Sequence, residues 1–431
     1  MYQMTQLDAD VIVVGGGSAG TAAAVAAGRA GASVILIETG NCLGGTSTAG
    51  LVAAWYASMD GLGCVYDDFV AMLDRFGARE DGTFNYGGMF NAETGKLVWQ
   101  LLAEGVGVRV MFHSTPSAAA VSAGRVQDLC VVSRAEAYEV SGRFFIDASG
   151  EGDLCALAGA QFDKGDPDEG RTLHMSLVAT LFDTGKLVTP FLPPGLEPLE
   201  SDEELPGLSG PHPMADGRFY LNMTKVMGHD PTDPLSLSAA ELEARRQLAR
   251  VVHYLQRTKC PRHMLASTGS RIGIREGRRV LGDYVLTEED VLGDGTTFDD
   301  GIGVATCQID FHSLTRPGMV GWRKRVKPYG IPFRSLVVKG FDNLLVAGKC
   351  ISGDQVAQSS YRMTPTCVGM GQAAGTAAAM AAARTLGSIR HLPVDELRRA
   401  LADAGVELDP AKHKAFPPSE ESETPDREGA R

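Results

Sequence analysis

Short unbroken apolar runs alternate along this chain with stretches rich in glycine and alanine, and the two predict different elements. Val11–Val14, in "DADVIVV", is a continuous β-branched run, as a strand buried on both faces requires. A glycine turn, Gly15-Gly16-Gly17-Ser18-Ala19-Gly20, follows it, and then the small-residue helix "TAAAVAAGRAG". A second apolar strand, Val34–Ile37, ends at Glu38, which completes a βαβ unit. Downstream, "GVRVMFHSTPSAAAVSAGRVQDLCVVS" predicts the strands of a hairpin or meander. "GRFFIDASGEGDLCALAGA" predicts a buried strand, a glycine turn and a small helix.

Residues 187–217 are rich in proline, glycine and acid and predict a long surface loop or lid. Ser238 with Glu241 has capping-box spacing. It predicts a helix through about Arg257 with apolar positions at Leu242, Leu248, Val252 and Leu255. "DNLLVAGKCISG" predicts a last buried strand and turn. Tyr361–Ala383 is an almost uncharged helix interrupted by Gly369, Gly371 and Gly375. Each of those glycines costs about 1 kcal/mol against alanine in a helix, so tight packing must offset it.

Gly15-x-Gly17-x-x-Gly20 between strand and helix is a dinucleotide-binding pattern. The first glycine permits the turn, the second admits a pyrophosphate, and the third lets helix and strand approach. The helix N-terminus favours the phosphates, and Glu38 stands where an acid accepts bonds from an adenosine ribose. Gly44-Gly45-Thr46-Ser47-Thr48 is a second backbone-permissive, hydroxyl-rich turn. It suits a cofactor that continues past the first turn.

Composition narrows the classes. The 431 residues allow two or three domains. A net charge of −13 without a basic stripe opposes a nucleic-acid partner. Eight cysteines show no C-x-x-C pair, against a dithiol centre, a zinc ribbon or a metal cluster. The expectation is a cytoplasmic protein with reduced thiols and no bound metal. No signal peptide is evident, and the apolar run Ala377–Ala383 is too short to span a bilayer.

"DVIVVGGGSAGTAAAVAAGRAGASVILIETGNCLGGTSTAG" resembles the opening of FAD-dependent oxidoreductases of the glutathione-reductase-like superfamily, and "FIDASGEGDLCALAGA" resembles their second flavin motif. "REGRRVLGDYVLTEEDVL", "YGIPFRSLVVKGFDNLLVAGKCIS" and "MTPTCVGMGQAAGTAAA" resemble a bacterial FAD-dependent oxidoreductase branch. The chain more distantly resembles fumarate reductase and succinate dehydrogenase flavoproteins.

The likeness covers residues 8 to about 405 and implies an α/β fold. A Rossmann-like FAD-binding domain would be built from 8–162 and 336–405, around an inserted α+β substrate or cap domain at about 163–335. A disordered tail would follow at 417–431. It further implies non-covalent FAD, with Gly348 to Asp354 beside the ribityl and pyrophosphate and Asp354 accepting from a ribityl hydroxyl. The N–H groups around Thr366 to Val368, just after Pro365, would face the flavin ring.

With FAD carrying the redox chemistry, candidates for catalysis are polar residues near these motifs. They are His174, Arg275 in a cluster with Arg278 and Arg279, His312 with Asp310 two residues away, Tyr361 and Arg362. An arginine of the cluster would hold a carboxylate, or else pair with Glu276, Asp283 or the acidic 288–290 run. Asp310 would set the tautomer of His312.

Since no second GxGxxG marks a nicotinamide domain, the leading expectation is hydride exchange between flavin N5 and a small organic substrate. The electron donor or acceptor is unknown and a homo-oligomer is possible. The alternative is an FAD monooxygenase that uses NAD(P)H and oxygen. A third reading, a flavoprotein serving an RNA-modifying or assembly partner, is opposed by the acidity.

Overall fold

The structure is a computed structural model that describes residues 4–80, 88–207, 209–316, 318 and 321–417. Its main sheet begins with β1 (Thr5–Val14), leads into helix α1 (Ser18–Arg29) and returns in β2 (Val34–Ile37). It continues through β3 (Arg109–Met111), β4 (Thr115–Ser122), β5 (Arg125–Ser133) and β6 (Glu136–Asp147). β3, β2, β1 and β6 lie side by side and parallel, while β4, β5 and β6 form the antiparallel meander. The apolar runs of β1 and β2 are buried throughout, which is why they carry no polar alternation.

A second sheet lies in the middle of the chain. It orders β8 (Ser209–Pro213), β9 (Arg218–Asn222), β7 (Ala179–Asp183) and β10 (His263–Thr268), all antiparallel, with helix α2 (Pro234–Arg257) in the same hydrophobic cluster. That cluster draws on Met175–Ile274, whereas Val280, Ile302, Ile309 and Tyr329 belong to the larger core.

The chain then forms a hairpin of β11 (Ile309–His312) and β12 (Gly321–Lys324). It rejoins the main sheet in β13 (Leu344–Val346), parallel to β6. It ends in helices α3 (Gln355–Tyr361) and α4 (Thr364–Ala383), and α4 lies against α1.

Three sequence expectations change. The apparent capping box is internal to α2, which starts earlier. Asp233 caps it by accepting from the N–H groups of Leu235 and Ser236, Pro234 begins the first turn, and Ser238 Oγ donates back to the Pro234 carbonyl. Leu242 accordingly faces solvent, and Ala240, Ala244 and Val251 are buried instead. The described part of 187–217 is no detached loop: Leu199 and Leu205 are buried in the second core and β8 joins its sheet. The continuous helix expected from Tyr361 is broken at Arg362–Met363 into α3 and α4. Of the tail expected at 417–431, Pro417 is buried and lines the second cavity described below, and 418–431 lie outside the described residues. No helix among the described residues is long and apolar enough to cross a membrane.

Candidate active site

Two adjoining cavities lie between the main sheet and the middle segment. The first, about 980 Å³, is lined by Gly15, Gly17, Ser18, Ala19, Glu38, Gly45, Thr46 and Gly348, all singled out in the sequence. Gly20 and Gly44 shape it without lining it. A Cβ on Gly20 would stand 1.8 Å from the Gly15 carbonyl oxygen, so the helix could not rise so close to the turn. Gly44 has φ +96° and donates its N–H to the Gly16 carbonyl at 2.8 Å, which joins the two glycine turns.

Gly17 behaves differently. A Cβ there would meet protein only at 4.0 Å, on the Ala148 carbonyl, so the space it keeps open belongs to the cavity. Glu38 is 3% exposed, and its carboxylate accepts from the N–H of Gly16 at 2.7 Å, from that of Gly40 at 2.6 Å and from Arg271 at 3.0 Å. At the opposite wall, Asp147 accepts from Ser149 and from the Cys155 N–H, fixing the turn whose Ser149, Gly150 and Glu151 line the cavity. A long cleft with a bare glycine turn, a helix N-terminus and an acid fits a dinucleotide such as FAD.

Four further expected site residues line neither cavity. Asp354 is a helix cap: its carboxylate accepts from the N–H of Ala357 at 2.8 Å and of Glu288 at 2.6 Å, and it lines neither cavity. Tyr361 is fully buried and donates to the Ile351 carbonyl at 3.1 Å. Thr366 and Val368 are also buried away from both cavities. The break at Met363 resets the helical phase, so Arg362, Thr364 and Cys367 line the first cavity instead. The Cys367 N–H already donates to the Met363 carbonyl at 2.9 Å, which leaves the free amides of α4 in the turn before it.

The second cavity, about 410 Å³, shares Thr46, Ile274, Lys349, Arg362 and Thr364 with the first. It gathers four of the five candidate catalytic residues, His174, Arg275, His312 and Arg362. His312 Nε2 lies 3.0 Å from Asp310 Oδ2, and the same carboxylate accepts from Arg362 at 3.1 Å and Arg323 at 3.2 Å. The His174 and His312 rings meet edge to face at 4.6 Å. Arg275 donates to the His174 carbonyl at 3.2 Å and to Ser176 Oγ at 2.8 Å. Its neighbours in sequence are engaged elsewhere: Arg279 with buried Glu276, and Arg278 with Asp153 at 2.9 Å. Asp310, Lys225, Arg323 and Lys349 also belong to this cavity; sequence reading used Asp310 only as a tautomer partner and missed the others. Lys349, the one charged residue in "LLVAGKCISG", was the most findable.

Burial lowers the pKa of His312 to about 4, with Asp310 opposing and Arg275 and Arg362 reinforcing the shift. Burial also pushes His174 well below its ordinary value, helped by Arg275. Burial alone would raise the Asp310 carboxyl, but His312, Arg362 and Arg323 outweigh it and hold it well below the usual carboxylate range. Both imidazoles are neutral at pH 7 beside an ionised Asp310.

Stability should therefore fall as the pH drops. Unfolded His312 takes up a proton near pH 6.5 and the folded one only near 4. The unfolded state binds more protons across that window, and the expected loss is about 3 kcal/mol. Urea titrations at pH 7, 5.5 and 4.5 check this: the slope should shrink in His312→Asn, and an unchanged slope would refute the assignment.

No curated protein matches the chain. Among solved structures, an anhydrotetracycline hydroxylase from Streptomyces rimosus is 13% identical at a TM-score of 0.48; the match covers 92% of this chain and 65% of that protein. This chain thus spans just under two thirds of that hydroxylase. A geranylgeranyl bacteriochlorophyll reductase-like protein from Thermoplasma acidophilum is 11% identical at 0.46, covering 94% and 93%. The p-nitrophenol 4-monooxygenase of Pseudomonas putida is 13% identical at 0.42, covering 94% and 87%. Below 0.5, these likenesses do not discriminate one reaction from another. The profile of a family described as FAD dependent oxidoreductase matches residues 10–401, nearly the whole chain. The chain belongs to that family, and its cofactor is FAD.

Proposed function

We propose that this FAD-dependent oxidoreductase exchanges a hydride with a small organic molecule held in the second cavity. The observation that carries this reading is the junction of the cavities at Thr46, Lys349, Arg362 and Thr364, with a neutral histidine paired to an ionised aspartate at its edge. FAD would lie along the first cavity, between Glu38 and the start of α4, and when bound it supplies two-electron hydride chemistry.

The chain's own residues do the rest. Asp310, held ionised by Arg362 and Arg323, accepts a hydrogen bond from the Nε2–H of His312 and so leaves the Nδ1 lone pair as the base. His312 then takes a proton from a substrate O–H, N–H or C–H. The free amides in the first turn of α4, together with Arg362, favour negative charge where the cavities meet.

The test is an anaerobic visible spectrum of the purified protein before and after NADH or NADPH. The proposal expects a yellow protein whose band persists with nicotinamides and bleaches with an oxidisable organic substrate. Fast bleaching by NADPH, followed by oxygen uptake coupled to hydroxylation of a third compound, would replace it with the monooxygenase reading.

A further inference from the structure

We propose that the second cavity is a carboxylate site: Lys225, Arg275 and Arg362 receive the acid group of an organic acid whose apolar body lies against Val52, Val178 and Ile274. That acid is the substrate class of the reaction proposed above, and only the word substrate rests on that reading.

The argument starts with Lys225. It is 4% exposed, yet its ammonium meets no carboxylate among the described residues; its partners are the carbonyls of Arg316 at 2.8 Å and Gly318 at 2.9 Å. An ammonium has three N–H donors, so one remains, and the residue lines the cavity. Burying a cation without a counter-charge is costly. Its pKa falls to about 8 through burial and the repulsion of Arg275, and it still carries its charge at neutral pH.

Arg362 adds a second donor. Its side chain is 9% exposed, one of its nitrogens serves Asp310, and its Nε is buried without a hydrogen-bond partner. Asp310 is the single carboxylate among the described lining residues, and it already serves Arg362 and Arg323. Lys349 is neutralised by Glu151. Among the described residues, Lys225 and Arg362 against Asp310 thus leave the cavity wall more positive than negative, and the histidines, held neutral, do not change the balance. An anion restores it, and the arginine fork and the lysine point charge both suit a carboxylate. The apolar wall explains why the ligand is an organic acid and not an inorganic anion.

The test uses the FAD-loaded protein and matched pairs, each an acid with its neutral amide, from acetate and acetamide through phenylacetate and phenylacetamide to 2-naphthoate and 2-naphthamide. Calorimetry gives the Kd, and the flavin difference spectrum reports a ligand beside the ring. The expected result is at least tenfold tighter binding of one or more acids than of their amides. Lys225→Met should weaken that acid at least tenfold, and Lys225→Arg should restore most of the affinity. Amides binding as tightly as acids, no acid binding, or an unchanged Kd in a folded Lys225→Met variant would overturn the proposal. If the protein is yellow and none of the acids binds, only the carboxylate site fails. If it neither contains nor takes up FAD, the flavin assignment fails, and the acid–amide comparison is read by calorimetry alone.

Discussion

Gly371→Ala is expected to destabilise the protein by ~3 kcal/mol or more, whereas Gly369→Ala, two residues earlier on the same helix, should stabilise it by up to about 1 kcal/mol. A Cβ on Gly371 would stand 2.1 Å from the Ala19 carbonyl oxygen, and one on Gly375 2.0 Å from that of Ala23. Both clashes are with the backbone of α1, which cannot rotate away as a side chain would. Relief requires α1 and α4 to separate. Gly369 meets nothing closer than the Leu62 carbonyl at 3.8 Å, an ordinary contact, so there alanine's helix preference acts unopposed. Urea unfolding of the three proteins, with FAD release followed by its fluorescence, measures the contrast. FAD should leave the Gly371→Ala variant at lower denaturant, because separating the helices moves the start of α1 away from the glycine turn. Equal stability of Gly371→Ala and wild type would show that the helices are not in backbone contact.

The second large effect is on rate. His312→Ala should slow anaerobic flavin reduction by the organic substrate ~10²–10⁴-fold, the usual contribution of a general base. Bound FAD should keep its wild-type spectrum, because His312 does not line the first cavity. Added imidazole should recover part of the rate by entering the space left by the ring. Asp310→Asn should lower the rate less, since it removes the partner that orients the ring and leaves the ring itself in place. If His312→Ala reduces at the wild-type rate while His174→Ala is slow, the base is the ring 4.6 Å away and Asp310 has a structural role only.

The glycine-turn side of the first cavity is legible in the sequence. Its glycine turn, the acid at Glu38 and the two strands fall within one βαβ unit of about 30 residues. β1, α1, β2 and Glu38 thus stand where the apolar runs and glycine spacing put them. The far side of the cofactor site was less legible. Asp354 is taken up in capping α3, a short helix that no sequence signal announced, and the phase of α4 follows from the break at Met363, of which Pro365 was the one sequence sign. The false capping box failed for a related reason: Asp233-Pro234 upstream offered a better start, and a helix uses only one.

The candidate catalytic residues were legible as residue types and not as a constellation. His174, Arg275, His312 and Arg362 were recognisable as polar residues near flavin motifs. What brings them together is the meeting of the middle segment, the β11–β12 hairpin and the start of α4. Lys225 and Arg323 gave no signal, because a lysine before a loop and an arginine on a strand look solvent-facing in one dimension. The burial of Lys225, the partial burial of Arg323 and the charge balance between them and Asp310 exist only after segments 91 residues apart close over one space. Backbone conformation and strand burial are decided by near neighbours and can be read along the chain. Charge balance in a cavity depends on which distant groups exclude water together, and only the tertiary structure decides that.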